Sequence, residues 1–257
     1  MAKKVSLLQF LMRTGKFANA YKAEQAIRSH RIKVSNAVIT NPKHFLNPKT
    51  ALIFYDNQRL IPIKKLYFLF NKPKDMICQK SKEEQSIYDA LKSLPLTQEQ
   101  QSSLFAIGRL DKDTEGLLII TNDGTLSDTL MRPESKITKT YEATLNLPLH
   151  HAQAQQLEKG ITLITEDGNY TTKPCSIKKK TDRIIEITLT EGKKRQVRKM
   201  LETIGNEVLQ LKRIAIGSLQ LGSLQPQEIR KISKEDLLKS LGLSSDSQAD
   251  EESVKTR

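Results

Sequence analysis

The sequence predicts an α+β fold, and three kinds of stretch predict it. Near the N-terminus, short runs with helical spacing are followed by small strands. Further on, two segments, 139–147 and 183–190, alternate apolar and polar residues as half-buried strands do. The second of these runs through a glycine turn directly into an amphipathic helix, so helices and strands are interleaved along one chain.

Residues 1–62 read as a compact module. Leu8, Leu11 and Met12 follow helical spacing, and Gly15 supplies a stop. A second helix is predicted from Ala20 to Ser29, with Asn19 as its cap and Ala23, Ala26 and Ile27 turned inward. Lys22 and Arg28 then face outward, with Arg31 and Lys33 just beyond. Two short strands follow, Ile32–Val34 and Ala37–Ile39, and a third at Ala51–Tyr55. A linker around Pro62 leads to an aromatic-rich strand, Leu66–Phe70, closed by Asn71-Lys72-Pro73, where proline stops the strand. A helix over Ile87–Leu94, capped by Ser86 and stopped by Pro95, precedes the polar segment Thr97–Ser103.

The centre of the chain is Phe105–Asp123, FAIGRLDKDTEGLLIITND, running into Gly124. Leu117–Ile120 is a buried strand followed by the turn signal Asn122-Asp123-Gly124. Before it stands a charged loop from Gly108 to Asp113, in which Arg109 precedes Asp111 by two residues. Gly108 and Gly116 permit backbone conformations that side chains forbid. A reactive carboxylate can be presented on such a loop, although carboxylates before strands commonly cap turns or meet solvent.

Thr125–Met131 reads as a short helix ended by Pro133. In Lys139–Leu147, Tyr141, Ala143, Leu145 and Leu147 form the inward face of a strand. Arg183–Thr190 is a second alternating strand and runs into Glu191-Gly192-Lys193-Lys194-Arg195-Gln196-Val197-Arg198-Lys199-Met200. Val197, Met200, Leu201 and Ile204 have helical spacing and Gly205 ends the helix. Its outer face carries Lys194, Arg195, Arg198 and Lys199, a density that favours phosphate contact over a merely solvated face.

Gly108-Arg109-Leu110-Asp111, Thr114, Gly116-Leu117-Leu118 and Thr121-Asn122-Asp123-Gly124 together closely resemble the signature of the RsuA-type pseudouridine synthases, which modify ribosomal RNA. Asn71-Lys72-Pro73 resembles the first motif of that family and Lys139-Thr140-Tyr141 its Lys-x-Tyr pattern. Gly192-Lys193 with Gln196-Val197-Arg198 resembles the third motif, and Leu211, Arg213, Ile216 and Gly217 the last segment. Residues 1–62 resemble the S-four RNA-binding domain, although the usual Asn-Gly turn is Asn36-Ala37 here.

The resemblance implies a small N-terminal RNA-binding domain (1–62), a catalytic domain (66–235) built on a mixed, mainly antiparallel sheet flanked by helices, and a cleft crossing the face of that sheet. It implies Asp111 as the catalytic carboxylate, Tyr141 as a pocket tyrosine and Lys193 as the cation paired with the aspartate. Lys22, Arg28, Arg31, Lys72, Arg109, Arg195 and Arg198 are the expected RNA contacts. The implied reaction isomerises uridine in RNA, ribosomal RNA first. It has no redox or phosphoryl step, so neither a nucleotide cofactor nor a metal is expected. A non-catalytic RNA-binding protein on the same scaffold is the alternative, disfavoured because Asp111, Tyr141 and Lys193 are all present.

Composition is in keeping with an RNA partner. The chain has 257 residues and a net charge of +13. Residues 1–66 carry 13 Lys and Arg against 2 Asp and Glu, which points to a polyanion. Cys78 and Cys175 give neither metal spacing nor a disulfide framework, as expected of a reducing cytoplasm. No apolar run approaches the ~18 residues of a membrane helix. A monomer is the default expectation, and the Ser-, Asp- and Glu-rich end, 243–257, is expected to be disordered.

Overall fold

The computed structural model describes residues 4–165 and 168–243. The chain forms two compact units. One comprises the residues up to Leu66 together with Leu91–Phe105; the other comprises Tyr67–Ala90 and the residues from Ala106 onward.

The first unit begins with β1 (Val5–Ser6) and α1 (Leu7–Met12), followed by α2 (Ala20–Arg28), β2 (Ile32–Val34), β3 (Ala37–Val38), β4 (Phe45–Leu46), β5 (Ile53–Tyr55) and β6 (Gln58–Leu60). Ser6 and Gln9 exchange side-chain and backbone hydrogen bonds in a capping box, so α1 starts where its first amides find acceptors. The Asn19 side chain accepts from the Lys22 amide at 2.9 Å and starts α2. Leu7, Phe10, Leu11, Ala23, Ile27, Ile32 and Ile53 form the core beneath both helices. The β5–β6 hairpin turns at Asp56-Asn57, both at positive φ, a pair of residues suited to that turn.

The second unit contains β7 (Tyr67–Lys72), and α3 (Ile87–Leu91) follows it in sequence. Next comes α4 (Gln98–Ser103), which groups with the first unit although the sequence reading ran this segment with the catalytic domain. Thr97 and Gln100 form its capping box, and Ser102 Oγ donates to Gly15 O at 2.9 Å. The chain continues through β8 (Phe105–Ala106), β9 (Glu115–Thr121), α5 (Gly124–Met131), β10 (Lys139–Leu145), α6 (His151–Lys159), β11 (Thr162–Thr165), β12 (Gly168–Thr171), β13 (Ser176–Lys179) and β14 (Ile184–Leu189). It ends with α7 (Gln196–Thr203), β15 (Val208–Ile216), β16 (Leu219–Gln220), β17 (Ile229–Lys231) and α8 (Lys234–Ser240). The expected tail lies outside the described residues from 244 onward. The second unit does not stop at 235, because Leu237, Leu238 and Leu241 are buried in its core.

The main sheet runs β13-β14-β10-β15-β9-β7-β17, with β16 pairing β15. Its pairs are antiparallel except β15 with β9, which run parallel through Lys212–Glu115 and Arg213–Gly116. The fold is therefore α+β with a mixed, mainly antiparallel sheet. Two apolar clusters cover it. Helices α5 and α8 bury Leu126, Leu130, Leu237 and Leu238 against Tyr67, Leu69, Leu117 and Ile119. Helices α6 and α7 bury Leu157, Val197, Met200 and Leu201 against Ala143, Ile185, Ile187 and Leu211.

Gly116 is where β9 meets β15. Its φ is +108°, and a Cβ there would stand 2.3 Å from the Arg213 carbonyl oxygen. Only glycine permits that approach. On the other side of β15 the register with β10 shifts between Thr140 and Tyr141, so that Tyr141 comes opposite Arg213. Such a bulge re-aims side chains. Both devices act next to the cleft described below.

Candidate active site

A cleft of about 670 Å³ opens over the sheet in the second unit. Its lining brings together Arg109, Asp111, Tyr141, Lys193 and Arg195 from three separate stretches of sequence. Lys139, Arg213, Tyr170 and Glu191 also line it.

Asp111 lies half-buried at the start of the short loop before β9. The residues around it are held individually. Leu110 is buried, and its backbone exchanges hydrogen bonds with the Cys78 thiol at 3.3 and 3.4 Å. The Lys112 carbonyl accepts from the Asp75 amide at 2.8 Å and from Lys72 Nζ at 3.3 Å. The Asp111 carbonyl accepts from the Thr114 amide at 3.1 Å. Asp113 is gripped by Arg195, whose two terminal nitrogens donate to its two carboxylate oxygens at 3.1 Å each. Arg198 Nε lies 3.1 Å from the same carboxylate, and Arg198 Nη2 donates to the Asp113 carbonyl at 3.0 Å. Among the described residues, no side-chain donor or ion-pair partner occupies the Asp111 carboxylate itself. The loop is thus fixed on both sides of a carboxylate whose oxygens remain open to the cleft.

The cations differ from expectation. Lys72 is fully buried in β7 and donates to the carbonyls of Pro73, Met76 and Lys112 at 2.9, 2.7 and 3.3 Å. It is a scaffold residue rather than an RNA contact: the strand turns it beneath the loop instead of toward solvent. Burial lowers its ammonium pKa, and the charges of Cys78, Asp113, Glu115 and Asp75 act in the opposite direction. Arg198, also expected on the basic outer face of α7, has a side chain only 14% exposed and further donates to Val208 O at 2.7 Å. It clamps the Asp113 loop. Lys193 makes no ion pair with Asp111; its ammonium lies 5.0 Å from the centroid of the Tyr170 ring. Arg195 feels the Asp111 charge, which adds to the larger effect of Asp113 in raising its pKa.

Tyr170, on the β11–β12 hairpin, donates to Glu191, which also accepts from the Lys173 amide at 3.0 Å and from Gln196 Nε2 at 2.6 Å. Burial and the Glu191 bond push the Tyr170 hydroxyl up to about 12. This network escaped the sequence reading, in which Lys139 and Arg213 stood within motifs but carried no role. A signal for Arg213 existed: Leu211, Arg213 and Ala215 share the inward face of β15, where a charged residue is unusual.

In the first unit, Lys22 and Arg31 line a second cavity of about 630 Å³ with Lys16, Phe17, Gln25 and Tyr55. Arg31 pairs with Asp56 and stacks 4.5 Å over the Tyr55 ring. Arg28 is exposed and bonded to Glu24 at 2.6 Å. Both cysteines are free thiols. Among the described residues no helix is long and apolar enough to cross a membrane.

Residues 66–203 match the family model for RNA pseudouridylate synthase. The ribosomal large subunit pseudouridine synthase B of Bacillus subtilis is 34% identical over 229 residues, covering 86% of this chain and 89% of that protein. The ribosomal small subunit pseudouridine synthase A of Salmonella typhimurium is 32% identical over 216 residues, covering 84% and 91%. A crystal structure described as a pseudouridylate synthase superposes with a TM-score of 0.65 at 28% identity, over 92% of this chain and 99% of that one. The chain belongs to the RNA pseudouridylate synthase family, whose members are isomerases.

Proposed function

We propose that this chain converts uridine to pseudouridine in ribosomal RNA, with the Asp111 carboxylate acting on the target nucleoside. One observation carries the assignment: Asp111 stands free in the cleft while Leu110, Lys112 and Asp113 around it are pinned. Carboxylates are weak nucleophiles and act when positioned. Arg195, whose guanidinium feels the Asp111 charge, lines the same cleft. The target base leaves its stack to enter the cleft, and Tyr141 offers it a flat face. Arg109 and Lys193, both exposed at the cleft, meet the RNA backbone. The reaction requires no cofactor.

The ribosomal target is supported by the relatives named for the two ribosomal subunits. The first unit supports an RNA-anchoring role of the S-four kind for residues 1–62, with Lys22, Arg28 and Arg31 on its basic helix and the turn after it. The catalytic domain then runs over 66–235, extended by α8, and the enzyme works as a cytoplasmic monomer.

The test is a pseudouridine map of ribosomal RNA from cells lacking the gene, incubated with purified protein, treated with carbodiimide and read by primer extension. The parent should produce a stop and Asp111→Asn should not, with turnover below about one-thousandth of the parent and RNA affinity unchanged. An asparagine variant working at the parent rate would refute the role of Asp111. Absence of any stop with the parent would refute the ribosomal target.

A further inference from the structure

The floor of the cleft holds a second feature. Arg213 is 5% exposed, turned inward by the alternation of β15. Its Nε donates to the Leu117 carbonyl at 2.8 Å, but Nη2 is buried and has no hydrogen-bond partner. A guanidinium remains charged at any working pH. A buried cation with an idle donor costs free energy unless an acceptor arrives. Among the described residues no carboxylate lies within ion-pair distance of it. The acids that line the cleft are Asp111 and Glu191, and Glu191 is occupied by Tyr170, Lys173 and Gln196.

Lys139 lines the same floor, and among the described residues its ammonium carries neither a hydrogen bond nor an ion pair. Burial, and then the Arg213 charge, lower its pKa. Two unneutralised cations therefore share one wall. Tyr141 stands beside them, directly across the strand pair from Arg213 because of the bulge in β10–β15.

We propose that Arg213 donates a hydrogen bond to a carbonyl oxygen of the flipped uracil and holds the negative charge that the base acquires during isomerisation, with Lys139 as the second cation of this subsite. The inference rests on the pseudouridine synthase reading of the cleft. When the C1′–N1 bond breaks, its electron pair remains with the base, and the charge spreads onto the uracil oxygens. The base turns, C5 bonds to C1′, the C5 proton leaves and N1 regains a proton. No external reductant or oxidant enters. A donor aimed at the departing anion acts where charge develops. The exposed cations, Arg109, Lys193 and Lys194, suit the phosphates of the chain; a guanidinium at the floor, next to the tyrosine face, suits the base.

The experiment uses full-length protein and a target RNA tritiated at uracil C5, with turnover read as tritium release and affinity by filter binding. Arg213→Met should lower kcat by about 10²–10³-fold, the range for loss of one oxyanion donor, with RNA Kd within about threefold of the parent. Arg213→Lys should recover at least about tenfold of the loss, because it restores the charge. Replacing the contacted uracil oxygen by sulfur, in RNAs carrying 2-thiouridine or 4-thiouridine, should slow the parent and add nothing further in Arg213→Met. Parent-like kcat in Arg213→Met would overturn the proposal. So would a loss confined to Kd, or a thio penalty of the same size in parent and variant, which is the signature of a merely structural arginine. If Arg213→Met does not fold, the thio penalty in Arg213→Lys decides: a reduced penalty supports the contact and an undiminished one refutes it. A parent inert on every RNA would instead remove the functional reading, and this inference with it.

Discussion

Lys72 illustrates how a residue changes meaning between sequence and structure. Its place in Asn71-Lys72-Pro73 suggested an RNA contact, yet its ammonium satisfies three carbonyl oxygens under the Asp111 loop. Lys72→Met keeps most of the volume and removes the ammonium from the Pro73 and Met76 carbonyls, while the Lys112 carbonyl keeps the Asp75 amide. It should cost about 2–3 kcal/mol in urea unfolding, the scale of unsatisfied buried groups. The salt dependence of RNA binding should stay that of the parent. A phosphate-contacting lysine would behave in the opposite way, lowering the slope of log K against log salt by about 0.7–0.9 with little effect on stability. Periodicity cannot separate the two cases, because β7 is buried along its whole length and offers no outer face.

Among the elements, the entry of α7 holds the C-terminal side of the Asp111 loop. Arg195 at its start and Arg198 one turn on both reach Asp113. Burial pushes the Asp113 carboxyl up, and the Arg195 bond with the Arg198 and Arg195 charges overcomes this, leaving it below the ordinary 3.8. A carboxyl depressed in the folded state stabilises above its unfolded pKa and loses that stabilisation as pH falls through the folded value. Asp113→Asn should therefore melt earlier than the parent at pH 7, and the gap should close in melts taken progressively below pH 3.8. At neutral pH the variant should also lose about tenfold in kcat with unchanged RNA affinity, since a loosened loop displaces Asp111. Much of this element was legible in the sequence: the strand and the apolar spacing of Val197, Met200 and Leu201 stand, although the left-handed residue that turns the chain into the helix is Arg195 rather than Gly192. The direction of the arginines was not, because it depends on Asp113, which lies 82 residues from Arg195 and 85 from Arg198 in sequence.

Over the whole molecule, charge is concentrated in the first unit, with 13 basic residues against 2 acidic among residues 1–66. Lys22→Glu should flatten the salt dependence of RNA binding by about 0.7–0.9 per lost phosphate contact, while kcat at saturating RNA stays that of the parent. An unchanged slope would place the RNA away from α2. At this scale the sequence announced the α+β class and the strands at 139–145 and 184–189. It did not announce β6, α4, α6 or the β11–β12 hairpin. Asp56-Asn57 and the Thr97–Gln100 capping box are local signals for the first two. The order of strands in the sheet is set by contacts distant in sequence, which no local pattern records.

The parallel contact of β9 with β15 also sets a schedule. Arg198 is 85 residues downstream of the carbonyl it clamps, and Arg213 is 96 residues downstream of the carbonyl it holds. At a synthesis rate of about 5–20 residues per second, Asp111 emerges several seconds before its clamp and its floor exist. A growing chain therefore carries an incomplete cleft until β15 has been made.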